Sequence, residues 1–209
     1  MSFINKLFYC IIIFFSISCE KNINWIDYDY VEVVRTGVDS TYFYKGNLLD
    51  GTVKKINDDI RPIFIFELKK GKLNGKYIEF HDNGSKKLES FYTNGILNGE
   101  LIEYYSNNKI KEVFNYNMGL VDGERKLFWN NGGIKQVSQF KSGVLFGESK
   151  FYFSNSNLRK LISFDNYGNR DGEWLDYYSN GNLKQKVVYK SGKILDSLKK
   201  YSINGDLIK

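Results

Sequence analysis

Four glutamates, Glu100, Glu124, Glu148 and Glu173, recur at intervals of 24, 24 and 25 residues along this 209-residue chain. Carboxylates in pairs are the tools of general acid–base catalysis and of glycoside hydrolysis. A catalytic pair, however, is needed once, whereas these residues return once in every rung of a repeat. The spacing therefore assigns them to structure or to a solvated surface. His81 is the chain's one histidine and sits without a second histidine or a cysteine near it in sequence, which makes it a surface side chain. The cysteines are only Cys10 and Cys19. Clustered metal ligands, a disulfide framework and a Cys–His nucleophile pair are thereby excluded. The sequence calls for no metal and no cofactor, and it does not read as an enzyme.

What remains is aromatic. With 16 Tyr, 16 Phe and 3 Trp, aromatic residues make up 17% of the chain, and Tyr105, Trp129, Phe153 and Tyr178 form a stripe at the same interval as the glutamates. Each follows by one place a residue of an all-apolar column, and in a strand the next residue points to the opposite face. As an exposed patch, this stripe is the best candidate binding surface, because rigid rings contribute affinity at little entropic cost. It equally suits the second half of a core, covered by sheet curvature or by a cap.

The elements that position these residues follow from a period of 24. Residues 71–94, 95–118, 119–142, 143–167 and 168–191 are successive copies, the fourth one residue longer than the others. A looser copy begins at Gly46 and a partial one runs from Gly192 to Lys209. Each unit carries two turn signals. One is Asn or Asp before the second Gly of a Gly-x-x-x-Gly (Asn74-Gly75, Asn98-Gly99, Asp122-Gly123, Asp171-Gly172); the other follows nine residues later (Asn83-Gly84, Asn107-Asn108, Asn131-Gly132, Asn180-Gly181). Such dipeptides supply the positive φ of tight hairpin turns. The stretches between them hold one short strand each and no helix.

Aligned units put Phe80, Tyr104, Phe128, Tyr152, Tyr177 and Tyr201 in one column, and Leu68, Tyr92, Tyr116, Phe140, Phe164 and Tyr189 in another. A third contains Ile110, Ile134, Leu158, Leu183 and Leu207. One unit cannot fold alone, since ordering it costs about 1–2 kcal/mol per residue. Its few aromatics return less than that at about 25 cal/mol per Å² buried. Stacked neighbours make up the difference. The expected fold is all-β: an elongated antiparallel β-meander of stacked hairpins forming a single twisted sheet. Residues 46–209 are the array of about six units plus a partial one, and the strand-like segment within 19–45 is anchor, linker and N-terminal cap.

The repeat pattern, Gly-x-x-x-Gly followed by an aromatic, Asn-Gly and a closing aromatic, resembles the MORN repeat. It is most similar to the bacterial variant found in YwqK-family antitoxins. The resemblance implies a scaffold or binding protein with no catalytic residue set.

Residues 1–18 read as a signal peptide: Lys6 supplies a positive start, and Leu7 to Ile17 is an apolar run too short for the ~20 residues that span a bilayer. The junction Ser16-Ile17-Ser18-Cys19 resembles the lipobox of bacterial lipoproteins, with Ser16 where a Leu is usual. That resemblance implies lipidation at Cys19 and a membrane-anchored protein of the bacterial cell envelope, periplasmic or surface-exposed. The net charge of +6 falls to +5 without Lys6, and its lysines are spread in small pairs such as Lys54-Lys55 and Lys86-Lys87, as on solvated strand faces. No nucleic-acid partner is expected. The reading is a non-enzymatic, lipid-anchored envelope protein that binds or scaffolds another protein. Alternatives are an antitoxin or immunity protein neutralising a toxin, and a glycan or lipid binder using the aromatic stripe.

Overall fold

The computed structural model describes residues 25–37 and 39–208. Among them the chain is all-β. It opens with β1 (Trp25–Asp27) and a short 3-10 turn, Tyr28–Tyr30, before β2 (Glu32–Thr36), β3 (Asp39–Tyr44) and β4 (Asn47–Leu48). The meander then runs through β5 (Gly51–Ile56), β6 (Pro62–Lys69), β7 (Lys72–Phe80), β8 (Lys86–Thr93), β9 (Ile96–Tyr104) and β10 (Ile110–Asn117). It continues as β11 (Leu120–Val121), β12 (Gly123–Phe128), β13 (Ile134–Lys141), β14 (Val144–Tyr152) and β15 (Leu158–Phe164). It closes with β16 (Arg170–Tyr177), β17 (Leu183–Lys190), β18 (Lys193–Tyr201) and β19 (Leu207–Ile208). From β5 onward the strands pair antiparallel in chain order in one 16-stranded sheet, with β10 pairing both the short β11 and β12, and β1 adds in parallel to its first edge; β2, β3 and β4 form a separate three-stranded sheet. That second sheet is the cap.

The two turns of each unit are built differently. The first is a two-residue hairpin turn in which both residues have positive φ, as in Asn94 (51°) and Gly95 (85°), or Met118 (48°) and Gly119 (84°). This is the type I′ geometry whose twist matches that of the flanking strands. The turn thus falls on the first glycine of Gly-x-x-x-Gly and the residue before it, not on the expected Asn-Gly of the second. That second glycine lies inside the strand, opposite the unit's closing aromatic: Gly75 pairs with Tyr92, Gly99 with Tyr116, Gly123 with Phe140 and Gly172 with Tyr189. It sits where the register slips against the preceding strand, as between Ser90 and Tyr92, and has positive φ, 115° at Gly99. A bulge there bends the strand and increases its twist. A Cβ on Gly99 would stand 3.3 Å from the Cβ of Phe91, so strain and crowding both select glycine.

The Asn or Asp before that glycine has its own task. Asn98 Oδ1 accepts the backbone N–H of Met118 (3.2 Å), Asp122 that of Ser142 (3.0 Å) and Asp171 that of Ser191 (3.1 Å). Each therefore caps the type I′ turn of the next unit. The turn glycine completes the link, Gly119 N–H donating to the Leu97 carbonyl (2.8 Å) and Gly143 to Val121 (2.7 Å).

The second turn is a three-residue loop ending in a left-handed residue, such as Gly84 (81°), Asn108 (64°) or Gly181 (92°). Its asparagine works in two directions. Asn180 Oδ1 accepts from Asn182 N–H (3.1 Å) within the turn, while its Nδ2 donates to the Ile203 carbonyl of the next (3.2 Å). Asn83 does the same with Ser85 and Ser106, at 3.0 and 2.8 Å. An asparagine is required because an aspartate has no donor for the next carbonyl. The extra residue of the fourth unit is absorbed at Asp165–Gly168, where a three-residue loop replaces the two-residue turn and leaves Tyr167 86% exposed.

The columns lie on two faces. Phe80, Tyr104, Phe128, Tyr152 and Tyr177 pair across their hairpins with Lys86, Ile110, Ile134, Leu158 and Leu183 on one face. The closing aromatics share the other face with Phe66, Tyr77, Ser90, Ser138, Ser149, Ile162 and Trp174. These ladder aromatics are half-buried, not buried. A single sheet has no second layer to close over its side chains. Among the described residues one exists only at the N-terminal end: the cap hairpin covers Val53, Phe66 and Leu68, which with Leu49 form the buried apolar cluster. Tyr28 packs edge-on against Phe64 (4.9 Å between centroids) and Tyr42 lies 5.4 Å from Phe66.

Candidate binding surfaces

Glu100, Glu124, Glu148 and Glu173 each follow the bulged glycine and point to the face away from the cap. Successive ones are two strands apart, about 9.5 Å by strand spacing alone, too far to share a proton or a bond. Three are paired with lysine: Glu124 with Lys126 at 2.5 Å, Glu148 with Lys150 at 3.0 Å, and Glu173 with Lys186. The buried carboxylates lie elsewhere. Glu89, 8% exposed, is held between Lys76 (2.7 Å) and Lys86 (2.6 Å), whose hydrogen bonds lower its pKa below the usual carboxylate range. Glu112, 9% exposed, meets Arg125 at 2.5 Å. Both are neutralised in place and tie strands together. His81 opens a turn and its Nε2 lies 3.1 Å from the Tyr104 carbonyl, which makes Nε2–H the donor. Among the described residues no three His, Cys, Asp or Glu side chains gather into a metal-binding group, and no helix is long and apolar enough to cross a membrane.

The stripe of Tyr105, Trp129, Phe153 and Tyr178 lies one residue beyond the strand ends, where each opens the second turn of its unit. All four are half-buried. The Tyr105 hydroxyl donates to the Phe128 carbonyl (2.8 Å) and that of Tyr178 to the Tyr201 carbonyl (3.0 Å), each crossing to the next unit. His81 occupies the same place in its unit and makes the same link. Lys135 stands 4.7 Å from the Trp129 ring centroid and Lys184 5.6 Å from that of Tyr178. Two of the four rings thus bolt adjacent hairpins together, leaving only their outer parts to solvent.

The same two-turn unit, five times over with its interlocking contacts, decides the family. The family model for the MORN repeat variant matches residues 73–95, 97–118, 121–142, 147–166 and 170–191, more than half of the chain. The chain belongs to the MORN repeat family. No curated protein matches it. MORN repeats are generally protein- or membrane-binding elements and typically not enzymatic.

As a MORN array, the chain carries one surface that its sequence did not announce. At the C-terminal end of the cap-bearing face, Ile162, Trp174, Val187 and Leu198 floor a depression of about 320 Å³ bordered by Lys160, Asp176, Gln185, Tyr189 and Ile194. Among the described residues no cap lies over it. Arg170 stacks on Trp174 (4.2 Å) and Tyr189 (5.2 Å), and donates to the Tyr189 hydroxyl (3.2 Å). The charge is also less evenly spread than the small lysine pairs suggested: residues 183–209 contain seven Lys against two Asp. Two signals could have located this end, that charge imbalance and Trp174 in a column that otherwise reads Val53, Tyr77, Leu101, Arg125 and Ser149.

Proposed function

We propose that the protein is a non-enzymatic binding module of the bacterial cell envelope, tethered by lipid at Cys19, that holds another protein on its repeat sheet. The observation that carries this reading is the apolar surface at the C-terminal end of the cap-bearing face, where Ile194, Leu198 and Ile208 are each at least half exposed. Contiguous exposed apolar surface marks interaction sites. The anchor rests on the Ser16-Ile17-Ser18-Cys19 junction, which lies outside the described residues. Neutralising a toxin is one form this role can take, the toxin then being the bound protein. The outer rims of Tyr105, Trp129, Phe153 and Tyr178, each only half-buried, are a second surface for the same purpose.

The test is cross-linking in the native envelope followed by capture of the full chain, alongside Cys19→Ser. The reading requires a saturable, reproducible protein partner, with Cys19→Ser losing acyl labelling and moving to the soluble fraction. Unchanged membrane retention of Cys19→Ser overturns the anchor, and absence of any cross-linked partner overturns the binding role.

A further inference from the structure

The position after the column of Lys86, Ile110, Ile134, Leu158 and Leu183 is basic in every one of these units: Lys87, Lys111, Lys135, Arg159 and Lys184. Contacts place this row beside the second turns, on the cap-bearing face. Lys87 reaches Glu79 (3.3 Å), two residues from Tyr77 on β7, and Lys111 reaches Glu103 (2.8 Å), which pairs with Leu88 two residues from Ser90. Arg159 stands 6.0 Å from the ring centroid of Phe151, two residues from Ser149 on β14. Further along the array the partner carboxylates change. Glu79 and Glu103 give way to Leu127 and Phe151, and Asp176 is engaged by Lys160 (3.2 Å). Among the described residues Lys135, Arg159 and Lys184 therefore make no ion pair. Lys135 and Lys184 instead lie over Trp129 and Tyr178 of the aromatic stripe. Between Arg159 and Lys184 a depression of about 320 Å³ opens, walled by Phe153, Tyr177 and the Lys160–Asp176 pair. It lies where the stripe lacks a bolt. Phe153 has no hydroxyl to send to the Tyr177 carbonyl, as Tyr105 sends one to Phe128 and Tyr178 to Tyr201.

We infer that Lys135, Arg159 and Lys184, with the rings of Trp129, Phe153 and Tyr178, form a binding track for an acidic polysaccharide, one carboxylate-bearing sugar to each unit. This goes beyond the protein-binding reading and does not depend on it. The Arg159 guanidinium takes a carboxylate in a two-bond fork, and Lys184 flanks it as a point charge. Phe153 offers a flat wall to the apolar face of a pyranose ring, and the Tyr177 carbonyl accepts a sugar hydroxyl. An apolar wall with a few convergent polar groups is the make-up of a small-ligand seat. Successive cations of the row are two strands apart, about 9.5 Å, a step that two linked pyranose rings span. An extended acidic peptide repeats its same-face carboxylates about every 6.8 Å and falls out of step with the row.

The probe is hyaluronan, which carries one carboxylate per disaccharide, titrated against the full chain in neutral detergent. Dextran, polyglutamate and phosphatidylglycerol vesicles are the other arms. Hyaluronan is expected to bind saturably and at least about tenfold more tightly than dextran or polyglutamate, the worth of one charge-assisted hydrogen bond. Arg159→Ala with Lys184→Ala, both on exposed side chains, should weaken it by about tenfold or more. Lys87→Ala with Lys111→Ala removes the same charge from the same row, where carboxylates already hold it, and should weaken binding less than about twofold. Phe153→Tyr sends a hydroxyl to the Tyr177 carbonyl and should weaken binding roughly two- to tenfold, as one hydrogen bond lost to the sugar. Dextran or polyglutamate binding as tightly as hyaluronan overturns the proposal. So do equal losses in the two double variants, which would make the attraction diffuse, and an affinity untouched by Phe153→Tyr. Vesicle binding, or capture of an envelope protein, that alone depends on Arg159 and Lys184 overturns the polysaccharide in favour of that occupant.

Discussion

The two ends of the cap-bearing face are built from the same columns and have opposite fates. At one, Phe66 is 3% exposed and Val53 fully buried beneath Tyr28 and Tyr42; at the other, Leu198 is 50% exposed above an open recess. The strands, the pairing and the turns do not differ between them. The difference is a second layer, which among the described residues only the first end has. A repeat sheet therefore supplies its own backbone hydrogen bonds but not its own core, and each face needs something laid on it, from its own chain or from another.

The strongest way to break the comparison is to interrupt the columns. Removing residues 95–118, one whole unit, should leave a shorter protein that unfolds cooperatively, because units contact mainly their neighbours. Removing only 95–106 deletes one strand and reverses the sense of those that follow, so cap and recess no longer share a face, and cooperative unfolding should be lost by circular dichroism. If both deletions behave alike, the units are not the building blocks.

Next in size are the two ends themselves. Phe66→Ala opens a cavity under the cap and should cost about 3–5 kcal/mol in denaturant unfolding. Trp174→Ala removes a larger ring from an uncovered site and should cost less than half as much. A reversed order would mean that the cap contributes no burial.

A pH titration sharpens the same contrast. Burial under the cap, with a hydrogen bond from the hydroxyl to Glu79 (2.9 Å), raises the Tyr77 pKa well above its ordinary 10.0; burial also raises that of Tyr42. The unfolded chain releases these protons first as pH rises. The stability they contribute is therefore full below pH 10 and declines above it, up to the folded pKa. The capped end should open first in alkali, read by near-ultraviolet circular dichroism, and Tyr77→Phe should reduce that sensitivity. Alkaline unfolding unchanged in Tyr77→Phe would remove this tyrosine from the account.

The smallest effect concerns the hairpin bolts between the ends. Tyr105→Phe deletes one hydroxyl donated to Phe128 and should cost about 0.5–1.5 kcal/mol. Phe153, which already lacks that hydroxyl, provides the internal control: Phe153→Tyr should not destabilise comparably. A silent Tyr105→Phe would place the stripe outside the stabilising contacts.

Much of this was legible in sequence, because a period, its glycines and its aromatic columns are local patterns. The hairpin ladder, the second turn at Asn83-Gly84 and its relatives, and the segregation of columns all follow from them. The first turn was misplaced for a physical reason. Asn98-Gly99 has the composition of a type I′ turn, yet the turn is Asn94-Gly95, and in neighbouring units it is Met118-Gly119 or Ser142-Gly143, whose first residues give no signal. Asn98 serves a turn 20 residues on, which only the stacked structure reveals. The aromatic stripe was visible, but the carbonyls that receive Tyr105 and Tyr178 were not, since a register must exist before a partner can be named. The recess at Trp174 was hidden because its column changes residue type in every unit.

The bulged, twisted hairpin also sets a metric. Each unit advances the sheet by two strands, about 9.5 Å, and turns it by two strand twists, on the order of 40–50°. Gaining or losing one unit would therefore carry the recess along a screw path relative to the cap, changing its bearing as well as its reach. Unit number thus sets both coordinates together, and only in whole steps.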